Sequence, residues 1–395
     1  MEKIPLLLMF LGHVWVDATQ GVLPVVLTKL KENFELTYFQ VGVMVMVLNL
    51  TSSMIQPLFG VVADRARVGW FVYSGVLWTS LCMGLLGWVP NYALAVFLVG
   101  LAGLGTAAFH PRAMMTVSLV SGTRRGFGAA VFSTGGNLGF AVGPMIGSLL
   151  VLGLGLRGTL VLLFPGFLLF LAIIAYSGDA LKREVHTDGM EADGDERGTG
   201  RIFWYSLSAV SLVIMLRSWA YMSFIAYLPM YLQTRNVPLA QGSLTLTVFL
   251  VGGALSGLYG GHLSDRIGRK AVVVGSLLIY PLLASLMLLS NGLWVWFLAG
   301  TAGAALLASF SVTVVWTQEL LPRNLGLASG LSLGLGFGMG GLGAALTGYI
   351  ADLIGLYGSM WVLALVPAVG ALAAAPVRTS LDARHELLWS EAERG

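Results

Sequence analysis

The sequence predicts an all-α membrane protein with twelve transmembrane helices in two pseudo-symmetric six-helix bundles. Three observations predict it. Hydrophobic residues make up 57% of the chain and charged residues 10%, and the mean hydropathy is +0.84. Apolar stretches long enough to cross a bilayer follow one another, in a composition too poor in charge to cover a soluble surface. The fragment Gly261-His262-Leu263-Ser264-Asp265-Arg266-Ile267-Gly268-Arg269-Lys270 recurs in weaker form as Gly60-Val61-Val62-Ala63-Asp64-Arg65-Ala66-Arg67, with its aspartate 201 residues earlier. The basic residues, finally, are sorted between alternate connections, as described below.

The repeat extends beyond one motif. Arg125-Gly126 and the glycine-rich stretch ending Gly139-Phe140-Ala141-Val142-Gly143-Pro144 are echoed by Leu325-Gly326 and the run from Gly334 to Gly343. Two blocks at nearly one offset indicate duplication, the plan on which many transporters are built.

Polar breaks and turn residues place the helices in order. The first spans roughly 5–28; its length and its interruptions, His13, Asp17 and Gln20, do not suit the short apolar core of a cleaved signal peptide. The segment Phe34 to Gln40 separates it from a second helix at roughly 37–62, and the Asp64-Arg65 turn leads to a third at roughly 70–89. The fourth, fifth and sixth follow at roughly 92–117, 125–150 and 158–177. One connection is long, 178–201, with Asp188, Glu191, Asp193, Asp195 and Glu196 among glycines, and reads as a solvated linker. Beyond it come helices at roughly 202–231, 239–262, 271–290, 293–318, 325–350 and 357–376. The domains are then an amino-terminal bundle at 1–177, a carboxyl-terminal bundle at 202–378 and a tail at 379–395.

With the amino terminus in the cytoplasm, sixteen basic residues fall on inside segments, among them Lys3, Arg124, Arg125, Arg269 and Lys270, against four outside, Lys29, Lys31, Arg157 and Arg235. The positive-inside rule therefore puts both termini in the cytoplasm. Arg112 and Arg217 remain, inside or at the edge of helices. The single cysteine, Cys82, excludes a disulfide framework.

The Gly261–Lys270 element falls where helix 8 turns into helix 9. Gly261 is expected to permit close helix approach, and Asp265 to cap helix 9 or pair with a nearby arginine. Arg266, Arg269 and Lys270 either form a latch with it, made in one conformation and broken in the other, or only set topology. The element resembles the signature loop of the major facilitator superfamily, whose twelve-helix fold has two bundles around a central cavity. That resemblance covers essentially the whole chain and implies alternating access by rocking of the bundles. It also implies latches at Asp64-Arg65 and at Gly261, Asp265, Arg266, Gly268, Arg269 and Lys270 in the outward-facing state.

Gly139-x-x-x-Gly143-Pro144-x-x-Gly147 in helix 5 is similar to the element that marks drug and proton antiporters of that superfamily. Small residues four apart let two backbones approach, and proline removes a donor so that the helix can bend. His13-x-x-x-Asp17-x-x-Gln20, Phe34 to Gln40, Ser52 to Pro57, Phe109-His110-Pro111, Gly135-Gly136-Asn137, Gln318 to Pro322 and Gly336 to Ala345 together resemble the fosmidomycin-resistance group of bacterial efflux proteins. That resemblance implies a bacterial inner-membrane exporter of a drug-like or anionic, phosphonate-type compound in exchange for protons. This chain departs from the group at Arg112, where a glutamate is usual.

Charges within the helices carry the candidate chemistry. Asp17 lies about 18 Å into helix 1, near the bilayer midplane, with His13 and Gln20 on the same stripe. A carboxylate there is expensive and is read either as a structural ion pair or as a proton carrier. Arg217, at similar depth in the counterpart helix 7, is expected to pair with Asp17 or to clamp an anion with its planar fork. His110 reads as a proton relay or as an internal hydrogen-bond partner. Arg112 reads as a cavity cation or as a snorkelling one. Asn137, Tyr221 and Tyr227 are polar groups in apolar helices and candidates for the cavity wall.

No phosphate-cradling Gly-x-x-x-x-Gly-Lys loop is present, which speaks against ATP-driven transport, and the histidines show no metal-ligand spacing such as His-Glu-x-x-His. The expected partners are a small-molecule substrate, protons and lipid, without nucleic acid, cofactor or metal, and the unit is expected to work as a monomer. A proton-linked transporter of a sugar or organic acid is the nearest alternative function; an intramembrane enzyme is a remote one.

Overall fold

The computed structural model describes residues 1–65, 69–181, 201–321 and 325–377, and among them every regular element is helical. They are α1 (Lys3–Gly21), α2 (Leu23–Phe34), α3 (Tyr38–Asn49), α4 (Gln56–Arg65), α5 (Trp70–Leu85), α6 (Tyr92–Ser121) and α7 (Arg125–Leu154). There follow α8 (Leu163–Leu181), α9 (Arg201–Thr234), α10 (Leu239–Ile267), α11 (Arg269–Leu289), α12 (Leu293–Leu307), α13 (Ser309–Leu320) and α14 (Leu325–Ala374).

Among the described residues, ten helical runs are long and apolar enough to cross a membrane. Two of them, 63 residues over Tyr92–Leu154 and 45 over Gly330–Ala374, exceed twice the roughly 20 residues of one crossing. Each turns back at a glycine of positive φ, Gly122 at 57° and Gly355 at 81°. Dividing both there is what the twelve-helix reading requires.

Three helices differ from the sequence expectation. Helix 1 does not stop near residue 28: α1 and α2 form one run, Lys3–Phe34. Lys29 and Lys31 therefore lie on its last turns, where Lys29 Nζ pairs with Glu32 Oε2 at 2.6 Å, and left-handed Glu35 ends it. Helix 2 is interrupted by a wide π-turn at Leu50–Met54. Pro57 follows and has no N–H for the Ser53 carbonyl, so the extra residue of the wide turn absorbs the mismatch. Helix 10 breaks at Ala308 between α12 and α13.

The bundle has two distinguishable ends. Glu2 N donates to Val120 O at 2.8 Å, and Gly69 stands against the Leu181 carbonyl, so the amino terminus and the turns at 69, 122 and 181 share one end. Tyr38, Tyr92 and Gly355 lie toward the other, called here the far end.

Close packing at glycines recurs in the two halves. On α7, a Cβ at Gly139 would lie 2.0 Å from Val14 O and one at Gly143 2.5 Å from Gly21, so α7 rests directly on α1. On α14, a Cβ at Gly343 would lie 2.3 Å from Trp219, and Trp219 Nε1 donates to Thr347 Oγ1 at 2.8 Å, seating α14 on α9. Gly147 meets Val22, and Pro144 is accommodated inside α7. The helix-5 glycines of the sequence thus act here as packing surface.

Candidate functional site

Helix periodicity places His13 and Asp17 one turn apart on α1, and the packing of α1 on α6 brings His110 to them. Asp17 Oδ2 lies 3.3 Å from His13 Nε2, and Asp17 Oδ1 lies 3.3 Å from His110 Nε2. The two imidazoles face each other with Nε2 atoms 3.0 Å apart, although 97 residues separate them in the chain. Gln20 Nε2 reaches Asp17 Oδ1 at 3.4 Å. His13 is buried against the Phe132 ring, at a centroid distance of 4.0 Å.

Both histidines are held by their second nitrogen. His13 Nδ1 lies 2.7 Å from Phe132 O, and His110 Nδ1 lies 2.9 Å from Thr106 O. A carbonyl only accepts, so each Nδ1 keeps its hydrogen there and each Nε2 is left with a lone pair. Two bare lone pairs at 3.0 Å beside a carboxylate repel one another. One proton on either nitrogen makes the contact a charge-assisted hydrogen bond and balances Asp17. Space for the triad comes from α7, where a Cβ at Gly136 would stand 2.4 Å from His13 Nε2 and 2.8 Å from Asp17 Oδ2.

Arg217, on α9, is also buried, only 2% exposed. Its guanidinium lies over the Phe310 ring at 4.9 Å, while Nε and Nη1 have no hydrogen-bond partner among the described residues. The expected pair with Asp17 is not made; Asp17 turns to the two histidines instead. Tyr221 follows Arg217 one turn along α9 and stacks on the Phe249 ring at a centroid distance of 6.4 Å.

Two candidates lie elsewhere. Arg112, expected in the cavity or at the headgroups, is buried; its Nη2 donates to the Leu181 carbonyl and its Nη1 lies 2.7 Å from Met115 Sδ. A guanidinium at the end of α8 complements that helix's terminal carbonyls. Tyr227 is fully buried, and its hydroxyl stands 2.9 Å from Tyr38 O and 3.0 Å from Ala344 O, which makes it a strut rather than a cavity ligand. Asn137 is exposed on α7.

The signature element is a local network. Arg269 Nη1 donates to Asp265 Oδ1 at 2.5 Å and to Ser264 Oγ at 2.6 Å, and Arg269 Nε to Glu319 Oε1 at 3.2 Å. Gly268 joins α10 to α11 at φ 94°. Close approach falls not at Gly261, whose nearest neighbour would be Ser311 Oγ at 3.4 Å, but at Gly260, where a Cβ would stand 2.1 Å from Ala308 O. Arg266 is exposed, and the side chains of Asp64 and Arg65 lie outside the described residues.

The sequence profile of the Major Facilitator Superfamily matches residues 9–243 and again 210–391. The chain belongs to the major facilitator superfamily. As a member it is a multi-pass membrane transporter rather than an enzyme. Among its superfamily relatives, the uncharacterized MFS-type transporter YfnC of Bacillus subtilis is 31% identical over 381 residues, covering 93% of this chain and 91% of that one. The fosmidomycin resistance protein of Escherichia coli is 28% identical over 369 residues, covering 92% and 90%. The solved structure of a bacterial homologue of the lysosomal transporter Spinster, inward-facing and occupied, superposes with a TM-score of 0.78 at 16% identity, over 93% of this chain and 95% of that one. The nucleoside transporter NupG does so at 0.73 and 13% identity, over 94% and 98%. Both show the shared fold.

In this major facilitator protein the halves are joined toward the far end by a residue that pattern reading missed. Asp352 on α14 accepts from Tyr38 N at 2.8 Å and Phe39 N at 2.9 Å, capping α3 from the opposite half. Gln233 Nε2 donates to Glu32 Oε1 at 2.7 Å beside it. The signal available was a lone carboxylate in the apolar run before Gly355, together with the Thr37–Gln40 capping box that marks the start of α3. Along one face of α14 the approach to α3 then loosens: a Cβ at Gly348 would stand 2.2 Å from Tyr38 O and one at Gly341 3.1 Å from Asn49, whereas one at Gly334 would meet nothing within 4 Å.

Proposed function

We propose that the chain is a proton-coupled antiporter that exports a small anionic compound, of phosphonate type, across a bacterial cytoplasmic membrane. The observation that carries this reading is Arg217, a buried guanidinium with two nitrogens that have no partner among the described residues. A buried cation left without a partner is costly, and an oxyanion accepting from its planar fork removes that cost. A sugar offers no charge to do so. The 28% identical Escherichia coli relative is a fosmidomycin resistance protein, which points to fosmidomycin as the first compound to try.

Protons enter at the triad. With both Nδ1–H groups committed to carbonyls, His13 and His110 share one proton beside Asp17 while α1 and α6 stay packed, and lose the arrangement when those helices shift. Substrate at Arg217 and proton at Asp17, His13 and His110 are then bound in alternate states, with Gln20 and Tyr221 lining the path between them. Both termini face the cytoplasm, residues 1–177 and 202–378 rock as two bundles around the cavity, and the protein works as a monomer. The turns at Asp64 and Asp265 latch the outward-facing state by contacts across the halves, the Asp265–Arg269–Glu319 network lying within one half and being made already while the halves are joined at the far end.

The test is reconstitution in liposomes with a trapped pH-sensitive dye, an imposed proton gradient, and fosmidomycin compared with an unrelated cationic drug. Fosmidomycin-driven proton movement that disappears in Asp17→Asn supports the proposal. Silence to anions, or coupling that survives Asp17→Asn, overturns it.

A further inference from the structure

The same three side chains meet a requirement that proton transport does not impose. We propose that His13, His110 and Asp17 form a binding site for one divalent transition-metal ion of the zinc type. Three ligand atoms at bonds of about 2.0–2.1 Å on a tetrahedral ion lie roughly 3.3 Å from one another. Here Nε2 to Nε2 is 3.0 Å, His13 Nε2 lies 3.3 Å from Asp17 Oδ2 and His110 Nε2 lies 3.3 Å from Asp17 Oδ1, so the two nitrogens and the carboxylate stand at spacings close to the edge of such a tetrahedron. All candidate ligand atoms fall within 4.8 Å of one another.

The surroundings fit as well. A metal-bound imidazole donates its other N–H to a carbonyl or carboxylate, which fixes its tautomer and aim. Both histidines do so, to Phe132 O and Thr106 O. Two nitrogens and one oxygen select zinc, cobalt or nickel over magnesium or calcium, which prefer all-oxygen sites. Gln20 Nε2 reaches Asp17 Oδ1 at 3.4 Å, which puts its amide beside the cluster. Two neutral imidazoles and one carboxylate give a net charge of −1, which a proton cancels and a divalent ion exceeds by one. The ion must therefore gain strong nitrogen bonds to enter, and it fastens α1 to α6 where a proton would let them part. Its consequence is that zinc blocks the transport cycle.

The experiment needs no transported substrate and so stands apart from the export proposal. The tag-free full chain, purified in detergent and stripped with a chelator, is titrated with Co2+ while its visible absorption is followed, and Zn2+ and then Mg2+ are added as competitors. One Co2+ per chain, displaced by Zn2+ and not by Mg2+, is expected. His110→Gln should weaken binding at least about 10-fold. Gln20→Glu, which adds a carboxylate beside the cluster, should tighten it and serves where His110→Gln does not fold. Absence of the cobalt bands in the unaltered chain, or an affinity that no folded variant moves, overturns the proposal. So does competition by Mg2+ equal to that by Zn2+.

Discussion

His13 and His110 meet Nε2 to Nε2 at 3.0 Å after each has given its other N–H to a backbone carbonyl. This double commitment means that neither ring can rotate to relieve the contact without breaking a buried hydrogen bond, at a cost of about 1–3 kcal/mol. The contact is therefore stable only while a cation is shared.

Replacing one ring removes the sharing but leaves the cavity open. In His110→Gln, substrate-induced proton movement should fall by at least about tenfold, the loss typical when a positioned acid–base group is removed, while downhill substrate flux continues. Parallel dye and radiolabel assays in liposomes separate the two. Equal loss of both would mean that His110 serves packing alone.

Gly136 has its place because a single methyl there would overlap the triad. A Cβ 2.4 Å from His13 Nε2 displaces the ring or separates α7 from α1. Gly136→Ala should thus abolish coupled transport and lower stability by about 1–3 kcal/mol, the usual range for overpacking. Gly126→Ala, on the same helix and facing open space, is the control and should change neither. Thermal melting in detergent together with the dye assay measures both.

The site was readable where it depends on local periodicity and hidden where it depends on tertiary contact. His13, Asp17 and Gln20 fall on one stripe by helix geometry alone, and the structure keeps them there. That His110 completes the group depends on how α1 crosses α6, which the chain order does not encode; for the same reason no linear histidine spacing marks the cluster. The bundles were visible as apolar length, yet the close contact of the signature loop fell at Gly260 rather than Gly261, because a one-residue step on a helix turns a side chain by about 100°. Asp352 escaped notice because its partners are backbone N–H groups, which have no sequence signature.

Arg217 has an opposite expectation for binding and for stability. Removing its charge in Arg217→Gln should weaken binding of an anionic substrate by at least about tenfold, a charge-assisted bond being worth about 1.5–3 kcal/mol. The same change should leave the melting temperature unaltered or raise it, since an uncompensated buried cation opposes folding. Arg217→Lys keeps the charge and loses the fork, and should bind between the two. Scintillation-proximity binding and thermal unfolding in detergent give both numbers; a substrate affinity unmoved by Arg217→Gln would take the anion site away.

The carboxylate of Asp352 accepts two N–H groups at the start of α3, where the helix leaves donors unsatisfied and the helix dipole favours negative charge. It does so across the interface between the halves, so its contribution acts on the conformational equilibrium as well as on the helix. Loss of a cap costs about 0.5–2 kcal/mol. If the state joined at the far end alone carries that energy, Asp352→Ala shifts the balance between states by roughly 2- to 30-fold toward those parted there. Asp352→Asn, which still accepts one hydrogen bond but carries no charge, should fall between. Spin labels on α3 and α14 near the far end, read by double electron–electron resonance, report the shift as growth of the longer distance. An unchanged distribution in Asp352→Ala would show that Tyr227 and the Gln233–Glu32 contact hold the halves together without it.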